Sequence, residues 1–304
     1  MRRILSRTPI SHCGVILGLL LLGSVSAARG APPTSSFQVE VHGAGPPVLL
    51  IPGLSCDGTV WDETVAVLEG HYEVYVLSLA GFAGRAAIEA PFLPRVRDDI
   101  VAYIRARRLD HPAVVGHSLG GFLAFWLAAS EPTLIGPVVA VDGVPFLPAL
   151  MDASATAESV RVMAEGTKTL MVSLTPEQFT MQTRMAVATM VTAAEDVERL
   201  TAQDTASDRA TVARAMFELM TTDLRDDVAD IESPVLLIAA GAAAQTPEDR
   251  ARLLRNYETQ VAPIVDHRVV VADARHFIML DAPDVFHATL TGFLAEVADP
   301  QETR

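Results

Sequence analysis

Two hydrophobic rhythms alternate along the chain. Short continuous apolar runs occur at Val48-Leu49-Leu50-Ile51, at residues 74–79, at Ala113-Val114-Val115, at Val138-Val139-Ala140-Val141, at residues 235–239 and at Val269-Val270-Val271. Runs of that length predict buried parallel strands, because both faces of such a sheet are covered and every position along it is apolar. Residues 61–68, 96–109, 122–128, 247–257 and 283–297 instead repeat their apolar positions with helical spacing. Residues 37–41 alternate apolar and polar, the signature of an edge strand with one wet face. Strands that alternate with helices predict an α/β fold, a mostly parallel central sheet with helices on both faces. The rhythm breaks after Gly143. From 144 to 230 no strand pattern is visible, and the segment carries Met151, Met163, Met171, Met181, Met185, Met190, Met216 and Met220. This segment is expected to be a helical lid or cap on a core built from 28–143 and 231–304. Flexible thioethers suit either an acyl-binding surface or a small core within the lid itself.

The first 27 residues follow another logic. Arg2, Arg3 and Arg7 precede the apolar stretch from Gly14 to Leu22, and Val25-Ser26-Ala27 offers small residues for cleavage. That order predicts a secretory signal peptide and a periplasmic or secreted product. The apolar stretch is shorter than the roughly 20 residues of a membrane span, so no stable span is expected once the signal is removed. Cys13 lies within the signal, which leaves Cys56 alone in the mature chain and no internal disulfide.

Half of the 304 residues are hydrophobic, enough for a large core, and the formal net charge is −14. So acidic a chain is a poor partner for nucleic acid or an anionic membrane. Cleavage after Ala27 would remove arginines and no acids, making it more acidic still. No His/Cys/Asp cluster has metal-ligand spacing and no glycine loop is built to cradle phosphate, so neither a metal nor another cofactor is expected. The oligomeric state is left open.

The chemistry concentrates at Gly116-His117-Ser118-Leu119-Gly120. This G-x-S-x-G pentapeptide leaves a strand and enters an apolar helix. A serine at such a turn has its hydroxyl lifted clear of the sheet edge, with the free N–H groups of a helix start close by. Its hydroxyl needs a base to become nucleophilic. Of the histidines, His276 alone lies just past the last predicted strand, where loops at the carboxyl edge of a parallel sheet converge on one crevice. Asp142 leaves the strand after the nucleophile; Glu248 and Asp249 start the helix at 247, and any of the three is a candidate to orient the histidine. Asp273 is expected to bind local backbone, Asp281 to fix the loop before Pro283, and Cys56 to be a small buried residue.

The elbow around Ser118, Pro52-Gly53-Leu54 after an early strand, and His276-Phe277 followed by Asp281-Ala282-Pro283 together resemble the α/β-hydrolase family over nearly all of the mature chain. The resemblance implies Ser118 as nucleophile, His276 as base, and backbone N–H groups of Leu54 and Leu119 as the oxyanion hole. Many members place the acid after the strand that follows the lid, where this chain has Ala239-Ala240-Gly241-Ala242. Others place it after the strand that precedes the lid, which implies Asp142. Phe82 and Phe146 are candidates to line the substrate entrance. The implied activity is hydrolysis of a carboxylic ester of a small apolar or acyl-containing compound through an acyl-enzyme. Amide, lactone or C–C hydrolysis on the same fold, or ligand binding without catalysis, are the alternatives.

Overall fold

The computed structural model describes residues 36–298; the expected signal segment, 1–27, lies outside them. Seven strands are present in the described chain: β1 (Phe37–Gly43), β2 (Pro47–Ile51), β3 (Glu73–Leu79), β4 (Ala113–His117), β5 (Val138–Val141), β6 (Val235–Ala240) and β7 (His267–Ala272). They form one sheet in the order β1-β3-β2-β4-β5-β6-β7. β1 runs antiparallel to β3, and every other pairing is parallel. β1 is the edge strand its alternation predicts. It continues to Gly43, beyond the expected end, because His42 and Gly43 find partners in Val74 and Glu73.

The helices are α1 (Asp62–Leu68), α2 (Leu93–Arg107), α3 (Leu119–Ser130), α4 (Ala157–Ser173), α5 (Pro176–Met190), α6 (Ala194–Ala206), α7 (Arg209–Thr221), α8 (Pro247–Val261), the short α9 (Ile278–Asp281) and α10 (Pro283–Ala298). Successive strand residues point to opposite faces. Leu49, Ile51, Val114, Ala140 and Leu237 therefore join one core with α2, α3 and α8. Val48, Leu50, Val115, Val139 and Leu236 join the other with α1 and α10. Both faces are covered, which is why the central strands read as unbroken apolar runs. α3 is buried around nearly its whole circumference.

The stretch between β5 and β6 is helical, as its composition predicts. α4 packs on α7, and α5 packs on α6. Thr156 and Thr175 open α4 and α5 with reciprocal capping boxes, and the Asp208 carboxylate accepts the Thr211 N–H at the start of α7. Among the described residues, no helix is long and apolar enough to cross a membrane.

The parallel register positions the site. Ile51 lies beside Gly116, His117 beside Val141, and Ala240 beside Ala272. The carboxyl ends of β2, β4, β5, β6 and β7 therefore open onto one edge of the sheet. The residues that follow them include Leu54, Ser118, Asp142 and His276.

Candidate active site

Ser118 separates β4 from α3 and has left-handed backbone, φ 54° and ψ −114°. A non-glycine residue in that region is strained, and the surroundings must hold it there. The Ser118 N–H donates to Val141 O at 2.8 Å, and Ser118 O accepts from Phe122 N–H at 3.0 Å, inside the first turn of α3. The flanking glycines are needed for close approach. A Cβ on Gly116 would sit 2.0 Å from Gly120 O, and one on Gly120 would sit 2.2 Å from Ile51 O. Leu119 is the first residue of α3, and the opening N–H groups of a helix have no partner within it.

Asp142 follows β5, also with positive φ (49°). An aspartate tolerates that conformation better than most residues. Its N–H donates to Ile238 O at 2.7 Å. Its side chain is nearly buried, and both oxygens have partners. Oδ2 takes a hydrogen bond from His276 Nδ1 at 2.5 Å. Oδ1 accepts from Ala240 N–H at 2.9 Å and from the Tyr257 hydroxyl at 2.7 Å. Burial alone would raise this carboxyl, but the hydrogen bonds and charge of His276, with the bonds from Ala240 and Tyr257, outweigh it and hold the group below the usual carboxylate range. The same arrangement pushes the Tyr257 phenol up, first through burial and then through the Asp142 charge, so the phenol remains a donor. With Nδ1 committed to the carboxylate, the His276 lone pair is on Nε2.

The loop carrying His276 is held from two sides. From the sheet, His117 Nε2 donates to His276 O at 3.1 Å, and its ring lies 4.6 Å from the His276 ring and 4.5 Å from that of Phe277. His117 is buried, and its Nδ1 has no hydrogen-bond partner among the described residues. Burial first, and the neighbouring His276 second, keep this imidazole neutral well below the usual histidine pKa. From the helices, Phe277 N–H donates to Met190 O at 3.1 Å, and the Arg275 guanidinium donates to Ala188 O and Val191 O, each at 2.9 Å. Asp281 completes the bracket: Oδ1 accepts from Thr192 N–H at 2.7 Å, while Oδ2 accepts from the Thr192 hydroxyl at 2.9 Å and from Arg275 N–H at 3.1 Å. Asp281 thus fixes the histidine loop itself, across to the end of α5, rather than only the turn before Pro283.

A cavity of about 410 Å³ opens over this edge. Ser118, His276, His117, Leu54, Ser55 and Cys56 form its floor, and side chains from α5, α6 and α7 together with Met171 and Leu174 form its roof. Its lining is mainly apolar, within the size range of small-molecule sites. These features decide the family: residues 48–289 match the Alpha/beta hydrolase family.

The chain belongs to the alpha/beta hydrolase family.

Membership makes it a hydrolase, and its relatives carry such names. It is 25% identical over 277 residues to a pimeloyl-[acyl-carrier protein] methyl ester esterase of Aliivibrio fischeri, covering 87% of this chain and 100% of that one. It is 24% identical over 265 residues to 3-oxoadipate enol-lactonase 1 of Acinetobacter baylyi, covering 87% and 94%. Among solved structures, a hydrolase from Pseudomonas aeruginosa superposes with a TM-score of 0.72 at 22% identity, over 90% of this chain and 99% of that one.

Measured against that family, the hydrolase departs from the common pattern where its sequence indicates. The alanines after β6 leave no carboxylate there, and Ala240 instead gives its N–H to Asp142. Of the other candidate acids, Asp249 caps α8 through Thr246 and pairs with Arg252 at the surface; neither it nor Glu248 lines the cavity. Two expectations are corrected. Phe82 is fully buried against Phe92, ring centroids 5.3 Å apart, and Phe146 is fully buried beneath the Arg225 guanidinium, 4.8 Å from its ring. Neither lines the cavity; both fill core, because each loop folds back under the helices rather than along the mouth. Leu54 lines the cavity, and Leu119 is buried. Cys56 also lines the cavity, but burial, then the charges of Asp204 and Asp57, push its thiol pKa up and disfavour the thiolate. Met171, Met190 and Met216 face the cavity, whereas Met151, Met163, Met181 and Met185 are exposed, so the methionines form no core of their own. Sequence reasoning missed Tyr257, His117 as a holder of the loop, and Asp204 on the cavity wall. His117 had a signal, its place inside the elbow; Tyr257 sits over 100 residues from its partner, with no local cue.

Proposed function

We propose that this protein hydrolyses carboxylic esters of small, largely apolar compounds through an acyl-enzyme. The observation that carries this reading is the His276 Nδ1 to Asp142 Oδ2 hydrogen bond of 2.5 Å, made at the cavity that Ser118 lines from its left-handed turn. In this mechanism the carboxylate fixes the imidazole tautomer, so that Nε2 takes the Ser118 proton as Oγ attacks the ester carbonyl. Negative charge moves onto the carbonyl oxygen and is met by the N–H groups of Leu54 and Leu119; losing one such donor typically costs about 3 kcal/mol of transition-state stabilisation. Protonated His276 then gives its proton to the leaving alcohol. Water enters, loses a proton to Nε2 and attacks the acyl carbonyl, which frees the acid and restores Ser118. Asp142 stabilises the imidazolium throughout and stays ionised.

The mainly apolar lining favours an acyl or hydrocarbon group, and similarity to a methyl ester esterase and an enol-lactonase supports open and cyclic esters as the first substrates to screen. We further read 144–230 as a lid and 1–27 as an export signal, which would put the enzyme in the periplasm or outside the cell; sequencing the amino terminus of the exported protein checks both the cleavage and the compartment. The central experiment is labelling with a fluorophosphonate probe. Wild type is expected to be labelled and Ser118→Ala not; an unlabelled wild type, or a labelled variant, overturns the reading.

A further inference from the structure

The cavity lining carries one carboxyl group, Asp204 of α6. Its Oδ2 accepts the Thr183 hydroxyl at 2.9 Å. Its Oδ1 is buried, with the buried Ser55 hydroxyl close enough to act on it. No cation pairs with Asp204 among the described residues. None of the described residues lining the cavity is lysine or arginine. Cationic groups near its walls are already engaged: Arg199 pairs with Asp196, Arg209 donates to Leu174 O and lies over the Phe179 ring, and Arg275 donates to Ala188 O and Val191 O. The rest of the lining is hydrocarbon and thioether, with Gln182 and the hydroxyls of Ser55 and Thr183 as its neutral polar groups.

We propose that the cavity selects substrates whose bound group is uncharged and rejects those bearing a carboxylate, with Asp204 enforcing the rejection. This rests on the ester-hydrolase reading above and names the class of substrate that site takes. The reasoning is electrostatic. A carboxylate entering this space leaves water for an apolar lining and meets no cation, so its desolvation is not repaid. It meets instead a second acid on the wall, and like charges repel more strongly in a low dielectric than in water. Burial raises the Asp204 carboxyl, with the Ser55 and Thr183 hydroxyls acting against that rise, as expected for an acid already short of compensation. An uncharged amide or hydroxyl of the same size avoids both penalties and can use the Ser55, Thr183 and Gln182 polar groups. The net charge of −14 adds a long-range bias of the same sign.

The test uses nitrophenyl esters of one chain length whose far end is a carboxylate, a carboxamide or a methyl group. The carboxamide is nearly isosteric with the carboxylate, so the pair isolates charge. Wild type is expected to turn over the carboxylate ester at least about a hundredfold less efficiently in kcat/KM than the carboxamide. Asp204→Asn is expected to shrink that gap by about tenfold. Sodium chloride at about 0.5 M is expected to leave most of the gap in wild type, because a buried charge is screened far less than the protein's overall field. A carboxylate ester cleaved within about threefold of the carboxamide overturns the proposal. A wide gap that Asp204→Asn leaves unchanged removes Asp204 from it, and one that vanishes in salt assigns it to net charge instead. Ser118→Ala runs alongside. If that variant still cleaves the neutral ester, the ester-hydrolase reading has failed; if it is inactive and wild type ignores charge, only the selection has.

Discussion

Replacing Tyr257 by phenylalanine removes one oxygen and tests how the acid is held. In the native site, Asp142 Oδ1 has two donors, Tyr257 O–H at 2.7 Å and Ala240 N–H at 2.9 Å, while Oδ2 faces His276. The variant leaves a nearly buried carboxylate with one donor at Oδ1. Hydrogen bonds to charged groups contribute about 1.5–3 kcal/mol. Part of that loss falls on the ground state, where Asp142 is already ionised, and part on the transition state, where the imidazolium needs a fixed anion. A loss of about 1.4 kcal/mol in the transition state gives a tenfold fall in kcat with little change in KM, because the phenol is on the far side of the carboxylate from any substrate. Stability should fall by about 1–2 kcal/mol as well. The pH dependence carries a sign. The Asp142 carboxyl is depressed in the folded protein, so its contribution is complete above the unfolded value near 4 and is lost as pH falls through the folded value. Removing a donor moves the folded value back toward the unfolded one and narrows that window. The variant should therefore lose less stability than wild type between about pH 6 and pH 3. Steady-state kinetics on a neutral ester and urea titrations at both pH values provide the numbers. A variant with kcat within twofold of wild type would refute the role assigned to Tyr257, whatever its stability.

Further outcomes follow from other contacts. His117 is neutral and buried, with its pKa held well below the usual value, so the unfolded chain takes up a proton that the folded one refuses. Wild-type stability should then decline below about pH 6.5 by up to roughly 1.4 kcal/mol per pH unit from this residue, and His117→Gln should lack that slope; parallel urea-midpoint profiles for the two proteins would contradict this. Gln203 of α6 grips the loop after β2, its amide donating to Asp57 Oδ1 and Thr59 Oγ1, each at 2.9 Å. Gln203→Glu sets two carboxylates against each other there and should lower kcat several-fold through the neighbouring Leu54 N–H. Adding Asp57→Asn should restore most of it, whereas a double variant no better than the single would mean the pair does not position that loop.

The order of strands and helices around the sheet was legible because each central strand is buried on both faces and the flanking helices other than α3 on one, so apolar rhythm marked them. The elbow was legible for a different reason: Gly116 and Gly120 stand within van der Waals contact of neighbouring backbone, and only glycine fits. The histidine loop followed from its place after the last strand. What stayed hidden were contacts made across the chain. Tyr257 reaches Asp142 from a helix whose sequence pattern speaks only of its apolar face. Asp281 grips Thr192 from the other side of the inserted helices. Phe82 and Phe146 were misplaced because an aromatic residue in a loop after a strand reads the same whether it lines a mouth or folds beneath it; Phe146 is drawn under by its N–H bond to Gln260 Oε1 and by Arg225.

The bracket between α5 and the histidine loop limits how the roof can swing. Arg275, Phe277 and Asp281 anchor residues 188–192, so any displacement at that end would drag the general base with it. The α5/α6 pair is thus the fixed jamb. The α7 side is moored as well, by the Asp208 N–H to Gly81 O at 2.7 Å and by Glu218, which accepts the Phe92 and Leu93 N–H groups, so neither half of the roof is free of the core.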